Sequence, residues 1–490
     1  MVNFSSSPDL PATSSSTMTG AQDVSIEILT EIFHFALEPE NPLSLSPFDT
    51  RRHISAVCSF WRDVLNSTPS LWQSITFAPT SPQHGEESRA LAHAWLQRSR
   101  NSLALDFCSR LPPQLPTRVE DLLFGGGAIR IVEEIIRPFA WRIVSLTCIL
   151  SGCKDDIRAF LTLPPSTFPN LESVNIVFLN DVQNPRSEFT FEERRAFSVF
   201  VDAPRLMSAR LHLLNGIDPL DLRLPWGQMK LLDFGNIPMA DDVFMSIMQM
   251  SARSLRDGTF NVVLEPRFHL PLAATFPQIS MPNVIRFRLI LGRHLADPDL
   301  FRLLEFRATK YLQIEKVGGF RGIDLETITP LIRPMSSSLE YVTLLDLEDG
   351  TNTIAHSHVY YPEMATIFRA VPGLIYLHLP RGILLDGPLV EDIASGRVLP
   401  RLEALDVAVS GLENGYRVIK MADGRNHEAL RPAFQASSPS QIFDVAIPRI
   451  TPIVRLQLQV PLAERNALEE LLANFVSSGH LANTVVELVV

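Results

Sequence analysis

The sequence predicts an α/β fold in which a short N-terminal three-helix unit precedes a long, irregular solenoid built on a parallel sheet. Between residues 24 and 75, apolar side chains recur at the spacing of amphipathic helices. Beyond residue 100, a strand-like segment recurs along the chain, and proline opens several of its copies. The chain has 490 residues, of which 46% are hydrophobic, so it is folded through most of its length but is too long for one ordinary core.

The first helix follows residues 1–22, which are rich in Ser, Thr and Pro and are predicted to form a disordered tail. Asp23 or Ser25 is suited to cap this helix, and Pro39 with Pro42 ends it. Its apolar face consists of Ile28, Leu29, Ile32, Phe33 and Ala36.

A second helix is predicted over residues 50–65. Its apolar stripe consists of Ile54, Val57, Cys58, Trp61 and Leu65. Thr68 and Pro69 then begin a short turn that returns Leu71 and Trp72 to the helices. About fifty residues in small helices bury only a thin core, so part of their apolar surface is available to a neighbouring domain or a partner.

Residues 23–78 resemble an F-box domain. Three segments carry the resemblance, in the order and spacing of that family: Val24-Ser25-Ile26-Glu27-Ile28, Val57-Cys58-Ser59-Phe60-Trp61-Arg62 and Leu71-Trp72. The departures are Val24, where the family usually has leucine, and Ser25, where it usually has proline.

The F-box resemblance implies that this unit binds the Skp-type adaptor of a cullin-RING ubiquitin ligase. The residues assigned to the adaptor contact are Val24, Ser25, Ile28, Leu29, Ile32, Val57, Trp61 and Trp72. The alternative is an N-terminal helical hairpin that covers a larger domain, in which Trp61 and Trp72 are ordinary core residues.

Residues 79–101 are predicted as a linker that contains a helix over 86–99. Alternation then predicts a strand over 102–107, helical spacing a helix over 129–139, and alternation again a strand over 143–147. A strand, a helix and a strand in succession begin a repetition.

The repeated segment has three apolar positions. Two residues of any type separate the first from the second, and one residue of any type separates the second from the third. We call this pattern the skeleton. Clear copies are 169–176, 204–211, 282–289, 372–379 and 400–407, and weaker copies lie near Met229, Leu312 and Leu339. Each copy predicts a short strand whose alternate residues enter a core, and the segment that follows it returns the chain.

These segments resemble leucine-rich repeats, although the asparagine that the family places after the skeleton is missing from the clear copies. The resemblance implies that residues 102–490 form an irregular leucine-rich-repeat-like domain, as in fungal F-box proteins. The alternative is an ordinary α/β domain with parallel strands.

Near the C-terminus, residues 454–460 predict a strand, 468–475 a helix and 485–490 a last strand, whereas 411–440 lack periodicity and are predicted as a loop or insertion.

Composition narrows the class of protein. The formal net charge is −11 and no long basic run occurs, which disfavours nucleic acid and anionic membranes as partners. No apolar run has the length of a membrane span, and no secretory signal pattern is present. The cysteines, Cys58, Cys108, Cys148 and Cys153, form neither a CxxC pair nor a dense disulfide framework. They are predicted to be buried thiols in a reducing compartment. A cytoplasmic or nuclear protein is expected.

No catalytic, cofactor or metal signature stands at its required spacing. Gly125-Gly126-Gly127 lacks the Lys-Ser or Lys-Thr of a phosphate loop, and His356 with His358 offers only two ligands. Asp155-Asp156 and Asp241-Asp242 stand at predicted helix starts, where negative charge favours the helix dipole. We therefore expect no enzyme activity, no cofactor and no metal.

Function is then expected on the strand residues between the core positions, which form a continuous surface on a solenoid. Those with the chemistry of interface anchors are Arg210, His212, Arg286, Arg288, Tyr341, Tyr376, His378 and Asp406. The F-box and repeat resemblances together imply a substrate receptor of an SCF-type ubiquitin ligase that holds an unidentified target protein. The alternatives are a repeat scaffold whose degenerate F-box binds no adaptor, and an enzyme with an unrecognised site.

Overall fold

The structure is a computed structural model that describes residues 24–37, 50–77, 85–99, 103–108, 132–150, 154–178, 188–213, 217–263, 272–292, 298–317, 328–347, 357–358, 361–380, 383–435, 450–481 and 484–489. The chain divides into two compact units. The first comprises residues 1–118 and 142–147, and the second comprises residues 119–141 and 148–490.

The described helices of the first unit are Ile26–Ala36, Thr50–Val57, Ser59–Ser67 and Gly85–Arg98, with a 3-10 turn at Pro69–Trp72. The predicted helix over 50–65 is therefore wrong in one respect, because it is broken at Cys58. Cys58 has an extended backbone, and its Sγ accepts a hydrogen bond from the Trp61 amide at 3.4 Å. A thiol in the N-cap position thus starts a new helix where the apolar spacing alone indicates a continuous one.

The core of the first unit is aromatic. Phe33 packs edge-on against Trp61 at 5.2 Å between ring centroids, and Trp72 does the same against Trp95 at 5.5 Å. The buried guanidinium of Arg51 lies 5.3 Å from the Trp72 ring centroid, and its Nε donates to the Leu71 carbonyl at 2.7 Å. A cation over these rings ties the 3-10 turn to the helices.

The strands of this unit are Ser74–Phe77, Leu103–Cys108 and the first part of Ile143–Leu150. Ser74–Phe77 pairs in parallel with Leu103–Cys108, which precedes Ile143–Leu150 in the sheet. Arg142, buried at the start of the third strand, donates to the Leu96 carbonyl and the Ser99 hydroxyl at 3.0 and 2.7 Å.

The second unit is built on a parallel sheet whose neighbouring strands pair in chain order. The strands, in sheet order, are Ser173–Phe178, Ser208–His212, Leu231–Ala240, Asp257–Val263, Arg286–Leu291, Tyr311–Val317, Tyr341–Leu347, Tyr376–His378, Ala404–Ala408, Arg455–Gln459 and Val485–Val489. Two short parallel pairs stand outside this order: Ile279–Met281 with Leu304–Phe306, and Ser357–His358 with Ile383–Leu384. The predicted α/β class with parallel strands is confirmed.

Most helices of the second unit lie between these strands in the chain, and the first three precede Ser173–Phe178. The helices are Val132–Ile136, a π-helix, and Arg137–Phe139, Lys154–Leu161, Phe191–Arg195, Asp241–Ser251, Leu272–Thr275, Pro298–Arg302, Thr329–Ile332, Tyr361–Ala370, Gly387–Ala394, Leu412–Gln435 and Arg465–Ser477. Short 3-10 turns occur at Ala140–Arg142, which ends in the first unit, and at Pro219–Leu222, Trp226–Gln228, Arg333–Met335 and Leu462–Glu464. Asp241 and Asp242 form the first turn of their helix, as predicted.

Alternate residues of the strands enter the core of the second unit. In Ser173–Phe178, for example, Val174, Ile176 and Phe178 are buried. Phenylalanines continue this core across the central strands, with ring centroids 6.0 Å apart for Phe234 and Phe260 and also for Phe260 and Phe287. The recurring skeleton of the sequence thus marks the side chains that face inward.

The strand Asp257–Val263 has no copy of the skeleton in the sequence analysis. Its first core position is Gly258, which pairs in register with Leu232 on one side and Phe287 on the other. A Cβ at Gly258 would lie 2.7 Å from the Phe260 ring, so that ring takes the space of the missing side chain. The strand was missed because a glycine stands where the skeleton requires an apolar residue.

The prediction of a loop over 411–440 is wrong, because most of this stretch is the helix Leu412–Gln435. Part of its buried side is polar: Asp423 and Arg425 are buried, and Asn426 is half-buried. Inward-facing polar residues remove the apolar periodicity on which the sequence reading depends.

Several predictions fall on residues that the structure does not describe: the tail 1–22, Gly125-Gly126-Gly127, Cys153 and His356. Cys58 and Cys148 are free thiols; Cys148 is buried, as predicted, and Cys58 is only half-buried. Within the described ranges, no helix combines the length and the apolar character that crossing a bilayer requires.

Candidate functional site

One face of the helix Ile26–Ala36 exposes large apolar side chains. Ile28, Ile32 and Phe35 follow each other at i, i+4 and i+7, which places them on one side of the helix. Ile28 is 56% exposed and Phe35 is 74% exposed, whereas Leu29 and Phe33, on the inward side, are fully buried. We call Ile28, Ile32 and Phe35 the helical face. Val57, at the end of the second helix, is also exposed.

Ser25 starts this helix. Its backbone is extended, and its Oγ accepts a hydrogen bond from the Ile28 amide at 3.4 Å. Hydrogen bonds from the Glu27 amide and from Ser25 lower the pKa of the Glu27 carboxyl, so a negative charge stands in the first helical turn. Ser25 therefore contributes an N-cap, and the helix begins without proline.

Two of the residues predicted to contact an adaptor lie in the core. Leu29 is fully buried, and Trp72 is buried against Trp95, its indole nitrogen donating to the Leu65 carbonyl at 2.8 Å. Neither has surface with which to contact a partner, so their assignment to a binding surface is corrected to a role in folding. Val24 and Trp61 are half-buried.

Phe35 is the member of the helical face that the sequence analysis missed. Its signal was available, because it stands seven residues after Ile28 on the same helical stripe. It is absent from the family motif, and the resemblance therefore gave it no role.

A second surface lies on the side of the parallel sheet opposite its core. Register aligns Arg286 with Tyr311, Tyr311 with Tyr341, and Tyr341 with Tyr376 on successive strands. Tyr311 stacks on Tyr341 with centroids 4.5 Å apart and planes 13° apart, and Tyr341 lies 6.2 Å from Tyr376. We call Tyr311, Tyr341 and Tyr376 the tyrosine row.

Arginines and carboxylates stand beside the tyrosine row. Arg286 Nε lies 2.6 Å from Asp257 Oδ1, and Arg288 Nε lies 2.5 Å from Glu315 Oε1. The hydrogen bond that each arginine donates to its carboxylate raises the pKa of that arginine. Glu315 is almost entirely buried, so its charge is compensated locally by Arg288.

Arg210 differs from these two arginines, because the structure gives it no ion pair within its described residues. Its side chain is exposed on the strand Ser208–His212. The N–H donors of its guanidinium are therefore available to a ligand.

The three arginines, Asp257 and the tyrosine row line a depression of about 440 Å³ on the sheet. Among the predicted target-binding residues, Arg210, Arg286, Arg288, Tyr341 and Tyr376 line it. His212 and His378 are not among its lining residues, so the structure does not bring them to the same place. Burial raises the pKa of the Tyr376 phenol, which is therefore a neutral hydroxyl at physiological pH.

His378 is held by a carboxylate. Its Nδ1 lies 2.5 Å from Asp406 Oδ2, and the buried Asp406 also accepts a hydrogen bond from Gln459 Nε2 at 3.0 Å. His378 and Asp406 thus form a fixed pair across neighbouring strands. Both residues are predicted from the sequence for this surface, but their contact is visible only in the fold.

No protein-family model matches this chain, and a search of curated proteins found no match.

Proposed function

We propose that this chain is the substrate-recognition subunit of an SCF-type cullin-RING ubiquitin ligase. In this proposal the N-terminal helical unit is an F-box that binds a Skp-type adaptor through the helical face. The second unit is an irregular leucine-rich-repeat-like solenoid whose sheet face binds a target protein. Such a receptor acts in the cytoplasm or the nucleus.

The observation that carries the proposal is the helical face itself. A helix that buries Leu29 and Phe33 on one side leaves Ile28, Ile32 and Phe35 in water on the other. Fully burying one such side chain is worth about 1.5–3 kcal/mol, so three of them on one stripe favour association with an apolar groove. The face lies within the segment whose motifs resemble an F-box.

The sheet depression supports the target-binding half of the proposal. Arginine and tyrosine are the residue types that most often dominate binding energy at protein interfaces, and here they line one depression. Stacking already orders Tyr311 and Tyr341, and ion pairs order Arg286 and Arg288. A surface held in place before binding loses less conformational entropy when a partner docks.

In this reading the chain supplies no reacting group. Its contribution to ubiquitin transfer is proximity, because holding the target beside the loaded conjugating enzyme makes the reaction effectively unimolecular. The proposal of a solenoid is supported by the parallel strands that pair in chain order. Each strand contributes one row of side chains to the surface that the target contacts.

The test is a binding titration between the full chain and a purified Skp-type adaptor. Ile28→Ser combined with Phe35→Ser is expected to weaken binding by about 2 kcal/mol or more, roughly thirtyfold. Both side chains are exposed, so the variant is expected to unfold at the same urea concentration as the natural sequence.

Ile26→Ser is the matched control. Ile26 is 52% exposed on the same helix but lies on the side away from the helical face, two residues before Ile28. Its substitution is expected to leave adaptor binding within about twofold of the natural value. If the chain binds no adaptor, or if the double variant binds as well as the control, the ligase assignment is wrong and the chain is a repeat scaffold.

A further inference from the structure

Three potential metal ligands meet near the end of the second unit. Asp423 and His427 lie on the helix Leu412–Gln435, and His480 lies just after the helix Arg465–Ser477. One ligand atom from each of these residues lies within 4.8 Å of the other two. His480 Nδ1 is 2.9 Å from Asp423 Oδ2, and His427 Nε2 is 3.6 Å from the same oxygen.

The helix positions two of these ligands. Asp423 and His427 are four residues apart and therefore project from one helical side. Between them, the fully buried Arg425 donates to carbonyls that include those of Thr451, Ile393 and Leu399 at 2.8–2.9 Å. These bonds hold the register of the helix, so the separation of Asp423 and His427 is set before any ligand binds.

A helix C-terminus positions the third ligand. Gly479 has a positive φ of 83°, and its amide donates to the Val476 carbonyl while the His480 amide donates to Phe475. This pair of bonds is the Schellman motif, which reverses the chain after the last helical turn. The reversal returns His480 to the carboxylate of Asp423, 57 residues earlier in the chain.

The carboxylate is oriented so that one oxygen is left for a ligand. The Leu481 amide donates to Asp423 Oδ1 at 3.1 Å, whereas both histidines approach Oδ2. Outer hydrogen bonds of this kind orient metal-binding carboxylates in known sites. The His427 side chain is 69% exposed, so solvent reaches the cluster and a water is able to serve as the fourth ligand.

We propose that Asp423, His427 and His480 bind a divalent transition-metal ion of the zinc class. A tetrahedral Zn²⁺ ion at about 2.0–2.1 Å from each ligand atom holds those atoms about 3.3–3.5 Å apart. The 3.6 Å between Asp423 Oδ2 and His427 Nε2 is close to this value, and the 2.9 Å between Asp423 Oδ2 and His480 Nδ1 widens when that nitrogen exchanges its hydrogen bond for coordination. Two histidines and one carboxylate are a donor set that suits Zn²⁺.

Such an ion would cross-link the long helix to the turn that leads into the last strand, Val485–Val489. Binding that occurs only in the folded state stabilises the fold by mass action. The site is therefore proposed as a structural one, independent of the adaptor and target surfaces.

The test uses the full chain, freed of metal by dialysis against a chelator and titrated with Zn²⁺ alone by calorimetry. The natural sequence is expected to bind one ion per chain and to show a higher melting temperature with Zn²⁺. His427→Ala and His480→Ala are each expected to weaken binding by about tenfold or more. His212→Ala, which removes an exposed histidine elsewhere in the same unit, is the control and is expected to bind as the natural sequence does.

A second readout separates coordination from misfolding. Co²⁺ in place of Zn²⁺ is expected to give the visible absorption of a tetrahedral site in the natural sequence and in His212→Ala, and to lose it in His427→Ala. Because His427 is exposed, its removal is expected to leave metal-free unfolding unchanged. Titration of His427→Ala and His480→Ala with the same affinity and stoichiometry as the control, or no binding by the natural sequence, would overturn the proposal.

Discussion

Arg425 is a fully buried cation that no carboxylate compensates in the hydrogen bonds that the structure gives it. Its guanidinium donates to the carbonyls of Thr451, Ile393, Leu399, Pro400 and Leu402. Burial lowers its pKa to about 10, so it stays charged at physiological pH. Carbonyl dipoles from several segments thus converge on one side chain, which makes Arg425 a junction between the long helix and the last strands.

Arg425→Ala is expected to destabilise the protein by about 3–5 kcal/mol, because it leaves buried carbonyls without donors and opens a cavity. Arg417→Ala on the same helix is the control. Arg417 makes an exposed pair with Glu413 one turn away, and its loss is expected to change stability by about 0.5 kcal/mol or less. Urea unfolding of both variants checks the difference, and equal midpoints would contradict the role of Arg425.

Glu193 carries a second residue-scale prediction. The Lys154 ammonium lies 2.8 Å from its carboxylate, and with the backbone amide of Thr190 it lowers the pKa of Glu193 to about 2. Because the pKa is depressed in the folded state, this carboxylate stabilises the fold above its ordinary pKa of 4.5, and the contribution is lost as the pH falls through about 2. Carbon-detected NMR titration of Glu193 is expected to give the low value.

Lys154→Ala is expected to raise the pKa of Glu193 while leaving it below the ordinary value, since the Thr190 amide still donates to the carboxylate. A Glu193 pKa that Lys154→Ala leaves unchanged would show that the ion pair is not its main cause.

The helix Leu412–Gln435 contains glycines in two different surroundings. A Cβ at Gly415 would lie 2.6 Å from the side chain of Leu468, which is buried on the helix Arg465–Ser477. At Gly424 the same atom would meet nothing within 4 Å. One glycine is therefore required by the close approach of two helices, and the other is not.

Gly424→Ala is expected to stabilise the protein by about 0.5–1 kcal/mol, because alanine loses less conformational freedom than glycine in a helix. Gly415→Ala is expected to destabilise it by about 1–3 kcal/mol through overpacking against Leu468. Opposite shifts in the melting temperature of these two variants would verify the packing, and a stabilising Gly415→Ala would refute it.

The helices and strands of the second unit differ in how well the sequence predicts them. The strands with an apolar skeleton were found because alternate burial leaves a period of two in the sequence. Asp257–Val263 was missed because Gly258 replaces its first core side chain, and Leu412–Gln435 was missed because buried polar residues interrupt its apolar side. Composition does not reveal which residues bond across the fold, and periodicity does not either.

For the candidate surfaces too, periodicity in the sequence predicts which side of an element a residue lies on but not which residues it contacts. Arg286, Arg288 and Tyr376 were predicted from strand alternation, which identifies the outward side. Leu29 and Trp72 were misassigned because a motif gives a residue's type and spacing, and a core contact and a partner contact both require apolar residues. Asp423 and His480 are 57 residues apart, so only the fold brings them together.

At the scale of the whole molecule, the last two strands of the second unit contribute unequally to the stability of its sheet. Arg455–Gln459 pairs along the whole of Ala404–Ala408 and contributes the buried Leu456 and Leu458. Val485–Val489 is largely exposed. The long helix bonds to both ends of this region: Arg425 and Asn426 bond to Thr451 and Ile453 before Arg455–Gln459, and Asn426 also donates to Thr484 before Val485–Val489.

A chain that ends at residue 449 is therefore expected to lose its cooperative unfolding transition and to aggregate. It removes the partner strand of Ala404–Ala408 and leaves a hydrophobic sheet edge unpaired beside a buried arginine that has lost an acceptor. A chain that ends at residue 481 keeps Arg455–Gln459, the helix Arg465–Ser477 and the Leu481 bond to Asp423, and it is expected to fold with a moderately lower melting temperature. Size-exclusion chromatography and thermal unfolding of the two truncated chains test this order. If both retained the natural melting temperature, the buried polar junction around Arg425 would not be what joins the long helix to the sheet.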